Sequence, residues 1–398
     1  MVQTYILSKY GGAGYDDCDG ITFDRTGNIY MCGVTDNIAY FDSIPVQSGG
    51  FLAKLDQNGN CIWAKHEVKS APIFNSMLRF MDIKIICDSD ILIDGCTAWK
   101  GVFQIDTISI NHPDVYSSMI CCFDGNGNIK WIREGTGVTE MNSHIGLDSA
   151  EDIYFTGYFA DSINFNNNRL YSNPGSGDMF LVKYDRNGNF IWARKANASM
   201  AEGTTVVSDL RGNVYVTGYF SGLAGFDGFN ITSYSNNDMF LARYSPDGNC
   251  MGVMHIGDCQ GWGVTQDKEG NPYVVITFMD TISVGSNIFV SHGLIDILIS
   301  KCSAITGIQE KNEQQNNQLI IYANPSNGKC NIVLPETLLH ENNLEMRIYD
   351  GSGKLIISRT MTLSSEKIVL NLPELAQGTY YISIGKGQNF YSGKIIFN

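Results

Sequence analysis

One hairpin pattern recurs through the first 250 residues and constrains the fold more than any other feature. Its clearest copy is MFLVKYDRNGNFIWARK, residues 179–195, in which two alternating runs flank an Asn-Gly pair. Asn-Gly between such runs is the strongest short-range hairpin signal, because both residues tolerate positive φ. The turn glycines of four copies are spaced 68, 61 and 60 residues apart, at Gly59, Gly127, Gly188 and Gly248.

A second hairpin alternates with the first and completes a unit of about 60 residues. Its best copies are GITFDRTGNIYMCG (20–33), IGLDSAEDIYFTG (145–157) and TTVVSDLRGNVYVTG (204–218), with a degenerate copy, IKIICDSDILIDG, at 83–95. Each unit therefore carries four antiparallel strands, named A to D. Four strands per repeat are the signature of a β-propeller blade, whose two apolar faces are covered by neighbouring blades. Tight hairpins disfavour a linear β-solenoid, whose strands run parallel.

The number of strands predicts how the propeller closes. Strands A and B each occur five times, the last pair within residues 262–278, and the fifth strand C is DILISKC at 296–302. Strand D follows only the first four C strands. However, TYILSKY at residues 4–10 has the pattern of strand D, with Leu7 at the position of Trp192. We expect an all-β, five-bladed propeller over residues 1–304 whose N-terminal strand completes the last blade. A fragment of a larger propeller is the alternative.

The turn residues have two interpretations. Asp and Asn at alternate positions, as in Asp185–Asn189, suit a hard cation such as calcium, but no bidentate Glu follows at the twelfth position of an EF-hand loop. We therefore expect the aspartate to cap the turn while Asn-Gly adopts positive φ, with no metal and no cofactor. Trp63, Trp131 and Trp192 share one repeat position, and we expect them to pack between blades.

The cysteine pattern does not indicate a disulfide framework or a zinc site. Eleven cysteines are scattered, and no pair has CxxC spacing. Cys61 and Cys250 stand where a sister repeat has Phe190, and Cys302 stands where one has Tyr184. We expect thiols that are buried as small hydrophobic groups.

Charge and hydropathy exclude several classes of partner. The net charge of −14 and the pI near 4.8 argue against nucleic acid and anionic membrane surfaces as partners. The sequence contains no run of 18 apolar residues, which is about the length that a membrane-spanning helix needs. The start, MVQTYILSKYGG, lacks the zones of a secretory signal peptide. If the protein is exported, we expect this sequence to show it after processing or without its first residues.

Binding is a better expectation than catalysis for the propeller. No HExxH, GxSxG or P-loop motif is present. The candidates for ligand contact are Tyr15, Asp16 and Asp17 on the first D–A loop, together with His66 and His255, which lie just after strand D and near the expected channel mouth. The alternative is that all five are ordinary polar loop residues. The long B–C loops vary while the strands repeat, which is typical of ligand sites. We expect a glycan-binding or protein-binding propeller. The alternative is an extracellular polysaccharide hydrolase or lyase, which would need two opposed carboxylates that the sequence does not reveal.

A second domain follows a polar linker. The linker occupies residues 305–318 and has no apolar periodicity. Residues 319–398 contain seven short strand patterns separated by turn signals such as Asn324-Pro325-Ser326-Asn327-Gly328. Seven short strands in about 80 residues predict a small Ig-like sandwich.

Four segments of this domain occur in a specific order: IYANPSNGKCNIVLPE, MRIYDGSGKLI, LNLPELAQGTYYISI and a final GKIIF. This order resembles the type A sorting domains of the type IX secretion system. Asn324, Pro325, Asn327 and Gly328 match the NP-x-NG motif of that family, although Ala323 stands where a proline is usual. The 60-residue units likewise resemble SBBP-type β-propeller repeats.

The resemblance implies a function for the C-terminal domain. Such domains mark proteins of Bacteroidetes-type bacteria for passage through the outer membrane, and they are typically removed on export. The implied partner is therefore the type IX secretion machinery, acting through residues 319–398. The implied location is the medium or the outer cell surface. The resemblance also implies a Sec signal peptide, which this sequence does not show.

Overall fold

The computed structural model describes residues 8–69, 77–98, 101–105, 108–112, 116–139, 143–173, 175–284, 287–302, 319–322, 329–334, 338, 341, 343–350, 354–361, 367–372, 375–386 and 389–397. The chain divides into two compact units, residues 1–309 and 310–398. Most of the predicted N-terminal strand, the linker and the four sorting-motif residues lie outside the described residues. Within the described part, no helix is long and apolar enough to cross a membrane.

In the described part of the first unit, antiparallel strands occur four times in the order A-B-C-D, and a fifth set with strands A, B and C follows. The A strands are Asp16–Phe23, Met77–Ile86, His144–Leu147, Asn197–Ser208 and Cys259–Gln266. The B strands are Ile29–Thr35, Asp90–Ala98, Ile153–Phe165, Val214–Phe226 and Pro272–Phe278. The C strands are Gly49–Leu55, Tyr116–Phe123, Gly177–Tyr184, Asp238–Tyr244 and Asp296–Lys301. The D strands described are Cys61–Lys69, Ile129–Thr139, Phe190–Lys195 and Cys250–Ile256.

Short hairpin arms lie between strands B and C of each repeat. The additional strands that form them are Ala39–Phe41, Ile44–Val46, Gly101–Ile105, Ile108–His112, Asn168–Tyr171, Phe229–Thr232, Thr281–Val284 and Asn287–Val290. In repeats 2 and 3 the arm pairs with strand D of the preceding repeat, for example Phe103 with Lys69 and Ile163 with Gly137. Neighbouring repeats are therefore joined by backbone hydrogen bonds as well as by packing.

The C–D hairpins have a turn that differs from the predicted one. In the clearest copy, Gly188 donates its N–H to the Asp185 carbonyl at 2.8 Å, and Asp185 donates to the Asn189 carbonyl at 2.9 Å. The glycine has φ of 77°, whereas Asn187 is not among the residues with positive φ. The prediction of positive φ is thus wrong for the asparagine. The turn is a three-residue loop with one left-handed glycine and a bulge, which extends the hairpin without strain.

The turn aspartate is saturated by hydrogen bonds from its own loop. Asp185 Oδ1 accepts the backbone N–H groups of Asn187 and Asn189, both at 2.8 Å, and its Oδ2 accepts the Asn189 side-chain amide at 2.7 Å. Burial raises the pKa of Asp185, but these hydrogen bonds outweigh it and lower the pKa overall. The carboxylate therefore acts as a cap, which is the structural role expected of it.

Each strand-D tryptophan lies on the turn glycine of the next repeat. Trp63 covers Gly127, Trp131 covers Gly188 and Trp192 covers Gly248, so that a Cβ at these glycines would lie about 3 Å from the indole. An arginine two residues further along strand D adds to the contact. Arg133 and Arg194 lie over Trp131 and Trp192 with cation–ring distances of 5.1 and 5.3 Å, and both donate to the turn-glycine carbonyl. The tryptophans thus pack between repeats, as predicted.

The described part of the C-terminal unit contains seven strands, which agree in number and order with the sequence patterns. Ile320–Tyr322, Lys329–Val333 and Lys367–Asn371 form a three-stranded sheet. A four-stranded sheet contains Leu344–Asp350, Leu355–Met361, Gly378–Lys386 and Asn389–Phe397. Side chains of both sheets, such as Ile332 and Ile382, share one buried apolar cluster. The unit is thus a two-sheet sandwich with its own core.

All eleven cysteines are free thiols. Seven are buried, and burial raises their pKa values, for example that of Cys96 to about 12. These thiols therefore stay protonated and pack as apolar groups, as expected for the seven. Cys18 and Cys87 are exposed, which the sequence did not predict.

The contact between Trp131 and Gly188 predicts that adding one methyl group at position 188 greatly lowers the stability of the fold. Gly188→Ala places a Cβ 2.9 Å from the indole at a φ of 77°, so both the left-handed conformation and the overlap are unfavourable. We expect a loss of about 2–5 kcal/mol of unfolding free energy, measured by urea denaturation. Gly175→Ala is the matched control, since Gly175 has φ of 76° with nothing within 4 Å of its Cβ position. It should cost about 1–2 kcal/mol. Equal losses in the two variants would contradict the Trp131 contact.

Candidate functional site

Three of the predicted ligand residues, Tyr15, Asp16 and Asp17, lie where strand A of repeat 1 begins. Asp16 Oδ2 accepts the backbone N–H of Gly12 at 2.7 Å, so this carboxylate holds the preceding turn. Tyr15 is exposed, and its hydroxyl donates to Asp17 Oδ2 at 3.2 Å. Asp16 therefore has a structural role, whereas Tyr15 and Asp17 remain accessible to a ligand.

Asp17 belongs to an ion-pair cluster that connects repeats 1 and 2. Arg79, on strand A of repeat 2, lies 2.9 Å from Asp17 Oδ2 and also donates to both carboxylate oxygens of Asp19. The Asp19 carboxylate raises the pKa of Arg79, because it stabilises the charged guanidinium. The arginine neutralises part of the acidic stretch that the sequence shows at this loop.

His66 lies in an apolar cavity of about 260 Å³ between repeats 1 and 2. Leu52, Phe80, Ile105 and Phe123 form much of its wall. Burial lowers the pKa of His66, so the imidazole is neutral at pH 7. The surroundings suit packing of the ring better than contact with a polar ligand.

His255 occupies the equivalent position in repeat 4, where the surroundings are polar. Its Nδ1 lies 3.3 Å from Asp238 Oδ2, and its ring stacks on Tyr234 with centroids 5.1 Å apart. Asp238 is fully buried and also accepts the backbone N–H groups of Tyr234 and Asp258, at 2.8 and 3.1 Å, and the Ser235 hydroxyl at 2.8 Å. The carboxylate therefore fixes two loops at once.

The charge state of Asp238 follows from these contacts. Burial raises the pKa of this carboxyl group, but hydrogen bonds from His255, Tyr234 and Ser235 lower the pKa overall. The group is thus a buried anion at neutral pH. A charged acceptor forms stronger hydrogen bonds than a neutral one, so the loops it holds are well ordered.

A cleft of about 570 Å³ lies against these loops, between repeats 4 and 5. Its polar wall contains Ser235, Asn236, Asn237, Asp258, Gln260 and Thr277. Its apolar wall includes Phe278, Met279 and Ile295. Cys259 also borders the cleft, but burial raises its pKa to about 12, so it is no nucleophile at neutral pH. A concave site of this size with several polar groups is typical of a small-ligand pocket.

The five predicted residues are not brought together. Tyr15, Asp16 and Asp17 lie on repeat 1, while His66 and His255 lie at the same register position of repeats 1 and 4, opposite Phe51 and Phe240. The B–C loop of repeat 4 is one of the long loops in which ligand sites were expected, and its residues 235–237 supply one wall of the cleft. The rest of the lining comes from repeat 5, namely residues 258–260 where strand A begins, residues 277–281 where strand B ends, and Ile295, and none of these carried a recognised motif.

The comparisons with known proteins bear on both units. Residues 320–398 match the family model of the secretion system C-terminal sorting domain, and residues 9–38 match that of a β-propeller repeat. The chain ends in a secretion-system sorting domain. A sorting domain of this kind points to a secreted or cell-surface protein. The propeller repeat ahead of it confirms the predicted scaffold.

A WD repeat-containing protein of Acanthamoeba polyphaga mimivirus is 25% identical over 287 residues. The match covers 61% of this chain and 20% of that protein, so the chain spans about a fifth of its length. Among solved structures, a family 32 glycoside hydrolase from Bifidobacterium adolescentis is 9% identical with a TM-score of 0.27, covering 98% of this chain and 77% of that one. The extracellular domain of a one-component system from B. thetaiotaomicron is 10% identical with a TM-score of 0.15, covering 96% and 68%. Similarities at this level carry no argument about function.

The hydrogen bonds of Asp238 predict that its neutralisation lowers stability more than neutralisation of Asp296, the aspartate at the same position of repeat 5. In Asp238→Asn an amide must face either the Tyr234 or the Asp258 N–H, leaving a buried donor unsatisfied. We expect a loss of about 1–3 kcal/mol and faster hydrogen exchange in residues 233–237. Asp296 is the matched control in repeat 5, since it accepts the His292 N–H but is 31% exposed. Asp296→Asn should lose less, and unchanged exchange in Asp238→Asn would contradict the loop-fixing role.

Proposed function

We propose that the protein is an exported β-propeller that binds a glycan in the cleft between repeats 4 and 5. The main support for this proposal is the cleft itself, in which amide, hydroxyl and carboxylate groups line a concavity of about 570 Å³. Such groups donate and accept hydrogen bonds with the hydroxyls of a sugar. A protein partner would instead need a much larger contact area, about 800 Å² on each side.

The candidate residues from the sequence enter this proposal in different ways. His255 supports the cleft through Asp238 rather than by contact. Tyr15 and Asp17 are kept as a second accessible group on repeat 1. Asp16 and His66 are assigned to structure. The hydrolase or lyase alternative gains no support from the glycoside hydrolase neighbour, whose TM-score of 0.27 is too low to carry an argument.

A glycan-array screen of the purified full chain tests the binding function. We expect the protein to bind a subset of glycans, with binding weakened about ten-fold by Gln260→Ala combined with Asn236→Ala, because each loses a hydrogen bond to the ligand. Asn168→Ala, on the exposed arm of repeat 3, is the control and should bind normally. If no glycan is bound by the wild-type chain, the proposed function is wrong.

We further propose that the five repeats form a closed ring and that the N-terminal segment completes repeat 5. In repeats 2 and 3, the hairpin arm pairs with strand D of the preceding repeat. The arm of repeat 1 pairs instead with Gly11–Gly12, where Gly11 lies opposite Tyr40. The N-terminal segment thus takes the place that a preceding strand D has elsewhere.

Side-chain contacts of the N-terminal segment support the same assignment. Ser8 Oγ donates to the Gly59 carbonyl at 3.1 Å, and the Tyr10 hydroxyl donates to the same carbonyl. Arg133 and Arg194 of the D strands make this contact to the turn glycine of the next repeat. Tyr10 also packs against the buried cluster of repeat 1, with its ring stacked on Phe41.

Two apolar faces also support closure. Ile21 on repeat 1 is 70% exposed, whereas its equivalents are buried against the preceding repeat: Ile83, Ile145, Val206 and Val264. Ile299 on repeat 5 is 66% exposed, whereas its equivalents are buried against the following repeat: Leu52, Ile120, Leu181 and Leu241. A closed ring would place these two faces against each other and cover both.

Charge placed on either face tests the ring. If the ring closes, Ile21→Asp and Ile299→Asp each put a carboxylate in a buried interface, and we expect each to lose at least about 2 kcal/mol of stability. Leu210→Asp, at an exposed turn of repeat 4, is the control and should change stability little. Deleting residues 1–10 should also lower the melting temperature, because strand C of repeat 5 loses its neighbour. If Ile21→Asp, Ile299→Asp and the deletion variant all melt at the same temperature as Leu210→Asp, the ring is open.

A further inference from the structure

Trp262 is an exposed aromatic side chain at a position where other repeats have none. Strand A bulges at this position in four repeats, between Cys18 and Gly20, Phe80 and Asp82, Gly203 and Thr205, and Gly261 and Gly263. The bulged residues are Asp19, Met81, Thr204 and Trp262. Trp262 is 43% exposed. A large exposed apolar surface on a single repeat is not required by the repeat architecture, so it calls for a separate explanation.

The indole is held in one orientation although it is exposed. Its Nε1 donates to Thr277 Oγ1 at 2.8 Å, and its ring lies 6.1 Å from that of Tyr219 at an angle of 45°. The Tyr219 hydroxyl in turn donates to Glu202, which is fully buried. The Trp262 backbone carbonyl accepts the Thr205 hydroxyl at 2.8 Å. The ring therefore loses little conformational freedom when something packs on it, which favours binding.

The indole is hydrogen-bonded to a residue that lines the cleft between repeats 4 and 5. Thr277, which holds the indole nitrogen, is also part of the polar wall of the cleft, and so is Gln260, two residues before Trp262. A fixed aromatic surface thus adjoins a set of amide and hydroxyl groups. This combination fits a ligand that has an apolar face and a hydroxyl-bearing rim.

We propose that Trp262 is the stacking surface for a pyranose ring of an uncharged glycan in this cleft. The C–H groups on one face of a pyranose pack against an aromatic ring, while its hydroxyls bind amides such as Asn236 and Gln260. An anionic glycan is disfavoured because Asp258 and Asp280 border the cleft and the chain carries a net charge of −14, which repels anionic polymers. The inference rests on the proposed glycan-binding function and assigns its ligand class and contact residue.

Affinity electrophoresis of the full chain in gels that contain galactomannan, xyloglucan, laminarin or polygalacturonate tests the inference. We expect retardation by at least one of the three uncharged polysaccharides and none by polygalacturonate. Trp262→Ala should weaken the affinity at least ten-fold, whereas Trp262→Phe, which keeps a ring, should stay within a few-fold of wild type. Tyr171→Ala removes an exposed aromatic side chain from repeat 3 and is the matched control, with unchanged affinity.

A spectroscopic readout separates a contact role from a structural one. Ligand addition should shift or quench the tryptophan fluorescence of the wild type and of Tyr171→Ala, but not that of Trp262→Phe, provided that all variants keep the wild-type melting profile. Equal affinities of wild type and Trp262→Ala, or retardation by polygalacturonate alone, would overturn the stacking assignment while leaving glycan binding intact. If no uncharged glycan binds in the gels or on the array, both the proposed function and this inference fail.

Discussion

The contact between a strand-D tryptophan and the turn glycine of the next repeat is the interaction on which the propeller depends. Two separate effects favour glycine at this turn position. Its φ is left-handed, which disfavours residues with a Cβ, and the overlying indole occupies the space that a Cβ would need. Arg133 and Arg194 then bind the same turn through its carbonyl. One short hairpin thus forms the outer half of its own repeat and the docking surface for the preceding one, which explains why the chain repeats it so closely.

The strands of both units could be predicted from sequence, because they depend on local alternation and turn residues. The turn type was predicted less well, since Asn187 tolerates positive φ but the bulged loop needs it only at Gly188. The site could not be predicted from motifs. Arg79 meets Asp17 across 62 residues, and this pair follows from how the sheets of repeats 1 and 2 stack. His255 meets Asp238 across one hairpin of 17 residues, but Tyr234 and Asp258 reach the same carboxylate from two other segments. Trp262 left a detectable signal, an aromatic residue where aligned repeats have Asp19 or Thr204.

Much of the negative charge of the propeller serves its loops. Asp56, Asp124 and Asp185 each cap a turn by accepting the N–H groups two and four residues ahead. Asp178 and Asp238 are fully buried and accept backbone N–H groups at the start of the following repeat. A low pI in such a chain therefore reflects a need for strong acceptors in many tight turns, and it repels anionic partners as a consequence.

The proposed ring closure has a consequence for the sorting domain. Strand C of repeat 5 ends at Lys301. In the proposed ring, its free edge pairs with the N-terminal segment. Every strand of the closed ring therefore lies before the linker. The described residues beyond 318 have a buried core of their own, formed by residues such as Ile348 and Ile384. If the sorting domain is removed on export, as the resemblance to its family implies, the proposed ring keeps all of its strand pairs and the cleft near Trp262 stays intact.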